Sequence, residues 1–272
     1  MSNLPNSIVL VRHGESEYNI LAARKKADPL YQKFVQQYNR SMTSRRTRDL
    51  AEKVQEKFAA KWGDHDTPLT PNGIRQANVT GQKLGLMMPP PDIIFCSPYL
   101  RTLDTLKHLK EGWPKNAVVS KGEPGHQYSR NSCEISNVEV VEDILLREQN
   151  YGVGILYNDW RVFQALNPKQ KILRDLNKPY WWKYPQGESM ADTQLRDKIF
   201  WIENEERCAG KDILIVSHHR FILADVANKE NLKPEQVLAL DKESPPLNCG
   251  ITTYSNVNGK LELECYNKKI WE

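Results

Sequence analysis

No stretch of the 272 residues approaches the roughly 20 apolar positions that span a bilayer. The first residues, MSNLPNS, also lack the basic start and apolar run of a secretory signal. The expectation is a cytoplasmic protein with no membrane partner. Cysteine is scarce and irregular. Cys96, Cys133, Cys208, Cys249 and Cys265 are odd in number, widely spaced and without a CxxC pair, which argues against a disulfide framework and a zinc site. A GxxxxGK phosphate loop is missing, and Cys96 and Arg101 stand one position too close for the C-x5-R loop of a thiol phosphatase. Net charge is small as well. Against 34 Asp and Glu the chain sets 38 Lys and Arg, a surplus of +4, and nucleic-acid binding would need clustered basic residues rather than a small total.

What the chain does have is a set of short apolar runs that end in polar loops. SIVLV (7–11) stops at Arg12-His13-Gly14, and DIIFC (92–96) and DILIVS (212–217) have the same form, as buried parallel strands would. Helix signals follow each. Ser97-Pro98 reads as an N-cap with proline at the first helical position, Thr70-Pro71 opens another helix, and Ser189 with Asp192 makes a capping-box start for a helix carrying Leu195, Ile199 and Ile202. This alternation predicts an α/β three-layer sandwich with a mainly parallel sheet and functional residues at the strands' carboxyl ends. ITTYSNVNGKLELECYN, at the end, reads as a hairpin turning at Asn258-Gly259 and so as an antiparallel edge.

Residues 20–66 break the rhythm. Asp28-Pro29 caps a helix with Leu30, Tyr31, Phe34, Val35 and Tyr38 on one stripe; a second is expected to start at Thr47, carry Leu50, Val54, Phe58 and Trp62, and stop at Gly63. The pattern is a helical hairpin inserted into one domain spanning 1–272. It holds eleven Lys and Arg against six Asp and Glu, a net of +5, so the chain's basic surplus belongs to it. Steering of anionic substrates and a plain solvated face are both open readings.

Chemistry gathers at the strand ends. His13 follows a buried strand, where an imidazole can attack phosphorus if one ring nitrogen gives its proton to a carbonyl and the other keeps its lone pair. A lone Arg-His-Gly serves equally well a structural or metal-binding histidine. Arg101 falls in the first turn of a helix, where guanidinium and helix N-terminus both favour an anion. His218 ends a third strand, and Glu148 brings a carboxyl to the end of the EVVEDILL segment. Asp64-His65-Asp66-Thr67 reads as a solvated polar turn. Tyr180, Trp181, Trp182 and Tyr184, with Trp160 and Phe163 upstream, fit either a substrate pocket or ordinary packing.

Taken in order, LVRHGESEYN (10–19), LTPNGIRQA (69–77), FCSPYLRTLDT (95–105), LREQNYG (146–152), YPQGES (184–189) and VSHH (216–219) resemble the motifs of the histidine phosphatase superfamily, also called phosphoglycerate mutase-like. The resemblance implies metal-independent phosphomonoester hydrolysis without a cofactor, on a small phosphorylated substrate. It makes His13 the nucleophile that becomes phosphohistidine, surrounds the phosphoryl group with Arg12, Arg101, His218 and Asn19, and makes Glu148 the proton donor. The family usually has glycine after the second histidine. His219 stands there instead, and since neighbouring side chains on a strand alternate, it is expected to offer mainly its backbone N–H. Mutases resembling phosphoglycerate mutase carry an arginine pair after the Glu148 motif; here only the isolated Arg161 appears near the middle of that stretch, which points to the phosphatase branch. Mutase chemistry, and a catalytically dead relative that binds phosphorylated ligands, are the alternatives.

Overall fold

A computed structural model describes residues 3–115 and 134–272; Cys133 lies outside them. The chain opens with strand β1 (Ser7–Arg12) and helices α1 (Glu17–Ala27), α2 (Pro29–Arg40), α3 (Arg45–Lys57) and α4 (Pro71–Met87). Next come β2 (Ile93–Cys96), α5 (Leu100–Gly112), β3 (Val140–Glu142), α6 (Trp160–Leu166) and α7 (Pro168–Trp181). Then follow α8 (Met190–Glu203), α9 (Glu205–Cys208), β4 (Asp212–Ser217), α10 (His219–Lys229), α11 (Pro234–Glu243), β5 (Ile251–Val257) and β6 (Lys260–Lys268).

The six strands form one sheet in the order β3-β2-β4-β1-β5-β6. Neighbours from β3 to β1 are parallel, while β5 runs antiparallel to β1 and β6 to β5. Side-chain alternation explains why both faces are covered. Ile8, Leu10, Ile93, Phe95, Ile213 and Ile215 face Phe200 of α8 and Phe221 and Ile222 of α10. Val9, Val11, Ile94, Cys96, Leu214 and Val216 face Leu84 of α4 and Leu106 and Leu109 of α5. Those three layers bring the carboxyl ends of β1, β4 and β2 to one level, with Arg12 beside Ser217 and Cys96 beside Val216. Asn258 and Gly259 turn the edge hairpin with φ of 53° and 80°, the left-handed pair that a two-residue turn requires.

Helices α2 and α3 form the inserted hairpin. Tyr31, Phe34, Tyr38, Leu50, Val54 and Phe58 share a core with Val162 and Ala165 of α6. Its second helix starts earlier than the sequence reading placed it. Ser44 is the cap, accepting from the Thr47 N–H at 3.2 Å, because the Thr47 hydroxyl turns back to the Ser41 carbonyl. It also ends earlier, at Lys57. The Phe58 carbonyl accepts from Asn158 Nδ2 instead of the N–H four residues on, so Trp62 lies beyond the helix on a bend.

Two further starts and faces differ. Tyr99, not Ser97, precedes the first residue of α5, since the Ser97 hydroxyl is engaged by His218. Arg101 nevertheless stays in the first turn. On α8 the capping box of Ser189 and Asp192 is present, but Leu195, Ile199 and Ile202 face outward. Arg196 and Asp197 take the packed side because their partners Glu188 and Asn228 lie there.

Candidate active site

His13 is buried at the end of β1, and its Nδ1 donates to the Gly14 carbonyl at 2.7 Å. That bond fixes the tautomer and leaves Nε2 with its lone pair. Burial, then the Arg101 and Arg12 charges, hold the imidazole pKa well below its usual range. The loop is held from several directions. Gly14 N–H donates to Thr105 Oγ1 (2.9 Å), Glu15 N–H to Gln76 Oε1 (2.9 Å), and Asn248 Nδ2 to the His13 carbonyl (3.0 Å). A Cβ on Gly14 would stand 2.5 Å from the Gly73 carbonyl oxygen, and one on Gly73 would stand 2.1 Å from that of Glu15. Both glycines therefore serve close backbone approach.

Around His13 the structure gathers a second imidazole and two guanidiniums. The His13 and His218 ring centroids lie 5.3 Å apart. His218 is fully buried, with Nε2 2.8 Å from Ser97 Oγ, and burial with the Arg101 charge lowers its pKa well below the usual histidine value. His218 Nδ1 and Arg12 Nε have no hydrogen-bond partner among the described residues. Arg12 Nη1 donates to the Pro246 carbonyl at 2.7 Å. Asn19 Oδ1 accepts from Ser16 N–H (3.0 Å), the Ser16 hydroxyl (3.0 Å) and Asn248 Nδ2 (3.1 Å), an arrangement that orients the amide and sets Nδ2 on its other side.

Glu148 arrives by a different route from the one its sequence position implied. β3 ends at Glu142, and a 3-10 turn at Ile144–Leu146, capped by Asp143, carries the chain onward. Glu148 thus sits on a loop beyond the strand end. Its Oε1 accepts from the Gln149 N–H (2.9 Å) and from the Arg220 N–H in the first turn of α10 (3.0 Å). Beneath it Arg196 forms a fork on Glu188, with Nε to Oε1 at 3.1 Å and Nη2 to Oε2 at 3.2 Å, and donates to the carbonyls of Leu145, Arg147 and Glu148. The ring of His219 turns to α11, with Nε2 2.8 Å from Asp241 Oδ1. Asp241 Oδ2 takes Arg220 Nη1 at 2.8 Å. Being the first residue of α10, His219 also carries one of the N–H groups that have no partner inside the helix.

The sequence profile of the histidine phosphatase superfamily (branch 1) matches residues 51–122 and 127–269. The chain belongs to that family. Arg12-His13-Gly14 lies ahead of the matched span, at the end of β1. Among curated relatives, the chain is 27% identical over 180 residues to the 2,3-bisphosphoglycerate-dependent phosphoglycerate mutase 2 of Gloeobacter violaceus, covering 65% of this chain and 71% of that one. It is 24% identical over 204 residues to a phosphoglycerate mutase-like protein of Arabidopsis thaliana, covering 72% of this chain but only 46% of that longer protein. Solved structures show the same fold. Phosphoserine phosphatase from Entamoeba histolytica superposes with a TM-score of 0.61 at 20% identity, covering 97% of this chain and 98% of its own. Mycobacterial glucosyl-3-phosphoglycerate phosphatase gives 0.60 at 18%, covering 98% and 99%.

Several supporting residues have roles that no local sequence signal reveals, even where, as with Ser97, Thr105 and Gln76, they fall inside a motif. Ser97, Thr105, Gln76, Asn248, Arg196 and Asp241 act through partners distant in the chain, so no spacing rule reveals them. The Glu188 of YPQGES was visible as a motif, while its task of carrying Arg196 was not. The aromatic group divides: Phe163, Trp182 and Tyr184 pack together, with Tyr184 also against Tyr151, whereas Trp181 meets Tyr180 edge-on and stays half-exposed. No helix among the described residues is long and apolar enough to cross a membrane.

Proposed function

We propose that the chain hydrolyses small phosphomonoesters through a phosphohistidine on His13, with Glu148 as proton donor and no metal or cofactor. The observation that carries this reading is the Nδ1 bond to the Gly14 carbonyl, which leaves a neutral, nucleophilic Nε2 beside Arg12, Arg101 and His218. Nε2 attacks phosphorus as the ester P–O bond breaks. Charge on the three equatorial oxygens is met by the two guanidiniums, the His218 ring, the Asn19 amide and the His219 N–H. Glu148 protonates the departing alkoxide through Oε2, its Oε1 being held by two backbone N–H groups. As a carboxylate it then takes a proton from the water that displaces the phosphoryl group from His13, restoring the neutral imidazole. On this reading residues 1–272 act as one catalytic unit, and 20–66 is an insertion within it.

Turnover of p-nitrophenyl phosphate in EDTA tests the scheme. It should vanish in His13→Ala. Glu148→Gln should lose at least about tenfold more activity on an alkyl phosphate than on p-nitrophenyl phosphate, whose leaving group departs without a proton. Activity that survives His13→Ala, or that requires added metal, contradicts it.

Phosphoglycerate mutase chemistry is the second reading, favoured by the names of the curated relatives. Hydrolysis is supported by Arg161, the isolated arginine of the stretch after Glu148, which stacks on Trp160 (4.3 Å to the ring centroid) and approaches the Tyr31 hydroxyl at 3.5 Å, among the inserted helices. Formation of 2-phosphoglycerate from 3-phosphoglycerate with 2,3-bisphosphoglycerate present would establish the mutase.

A further inference from the structure

Gly63-Asp64-His65-Asp66 leaves the inserted hairpin as the exposed polar turn that its composition implied, with the exception of Asp64, whose side chain turns inward. Arg101 Nη2 stands 3.0 Å from Asp64 Oδ1, and Nη1 donates to the Asp64 carbonyl. The Leu100 N–H donates to the His65 carbonyl at 2.9 Å. The His65 ring lies 5.1 Å from that of Tyr99, which in turn lies 5.2 Å from His218. Asp64 is thereby pinned to the first turn of α5 on the same guanidinium that the proposed mechanism assigns to the phosphoryl group.

The electrostatic surroundings of this carboxylate are mixed. Burial raises its pKa above the ordinary carboxyl value and Glu148 adds to this, against Arg101 and His65, which favour its charge; Tyr18 and Tyr99 also face it. A phosphate at Arg101 uses N–H groups that Asp64 now occupies, and Asp64 remains beside it as a fixed negative neighbour. The cost of that proximity grows with each further negative charge on the ligand, since like charges a few ångströms apart at a protein surface are only partly screened. A neutral or cationic organic part escapes the added cost.

We propose that Asp64 determines specificity. It disfavours phosphomonoesters whose organic part carries a second anionic group near the phosphate, and it admits those whose organic part is neutral or cationic. This rests on the reading of Arg101 as a phosphoryl-binding residue, and it names the substrate class for that site.

The test compares 3-phosphoglycerate with phosphoethanolamine at pH 8 and fixed ionic strength. Asp64→Asn should raise the ratio of kcat/KM, 3-phosphoglycerate over phosphoethanolamine, by about tenfold, equivalent to about 1.4 kcal/mol. The control, Asp66→Asn, removes an equal charge two residues on, where the side chain pairs with His65 in solvent, and should leave the ratio unchanged. Calorimetric binding of the same two compounds gives a second ratio that needs no turnover. A binding ratio that moves with Asp64→Asn supports the inference even if hydrolysis by His13 fails its own test. Ratios that stay constant, or that move equally in Asp66→Asn, overturn it while leaving the hydrolase reading untouched.

Discussion

At the scale of single residues, the same burial that lowers the His13 imidazole pKa creates a second titrating group between α8 and α10. Asp197 of α8 and Asp225 of α10 are both fully buried. Asp225 accepts from Trp201 Nε1 at 2.7 Å and pairs with Lys229; Asp197 Oδ2 accepts from Asn228 Nδ2 at 2.7 Å. Asp197 Oδ1 and Asp225 Oδ2 are the two oxygens left over, and a proton on Asp197 shared with Asp225 satisfies both. Burial, reinforced by the Asp225 charge, pushes the Asp197 carboxyl from 3.8 up to about 8. Between those two values the folded chain holds a proton that the unfolded chain has released. Stability therefore falls as pH rises through that window, and below it the effect disappears because both states are protonated. Asp197→Asn should flatten this dependence. Urea midpoints at pH 5 and pH 8 measure it: a decline in the variant as steep as in the unchanged protein contradicts the shared proton.

At the scale of elements, strand ends were legible because a β-branched run followed by a polar residue leaves little choice about where a buried strand stops. His13 and His218 stand out in the sequence for that reason, and Arg101 for its place in the first turn of the helix after β2. The helix starts at Ser44 and Tyr99 were not legible, since a Ser or Thr hydroxyl with a better tertiary partner abandons the cap, as Thr47 and Ser97 do. Glu148 was expected directly at a strand end but lies on a loop beyond it, because the three-residue β3 and the turn after it are set by packing rather than periodicity. The Glu188–Arg196 fork is what holds that loop. Glu188→Ala leaves a buried guanidinium unpaired, and should cost about 3 kcal/mol of stability. It should also lower kcat on an alkyl phosphate more than on p-nitrophenyl phosphate, by disturbing Glu148. Chemical denaturation with paired kcat measurements checks both; an equal loss of kcat on the two substrates would make the fork purely structural.

At the scale of the molecule, the candidate site is drawn from the whole length of the chain: β1 near the start, the loop ending the insertion, α5, the Glu148 loop, α10, and Asn248 near the end. The inserted hairpin builds its own core with α6, and two of the segment's basic residues are paired, Lys57 with Asp28 inside it at 2.7 Å and Lys25 with Asp159 outside it at 3.3 Å. Arg45, Arg46 and Arg48 remain exposed on α3. If they steer anionic substrates, replacing all three with Gln should lower kcat/KM a few-fold at low salt and reduce its salt sensitivity; kinetics that do not change assign them to a solvated face. The central claim concerns a single atom, Nε2 of His13. Rapid quenching during turnover of a phosphomonoester in EDTA, followed by mapping of the bound phosphate, tests it most directly. An acid-labile phosphate on His13, lost in His13→Ala and persisting longer in Glu148→Gln, is the expected result; phosphate on another residue, or steady turnover with none trapped on either protein, would contradict a phosphohistidine at that atom.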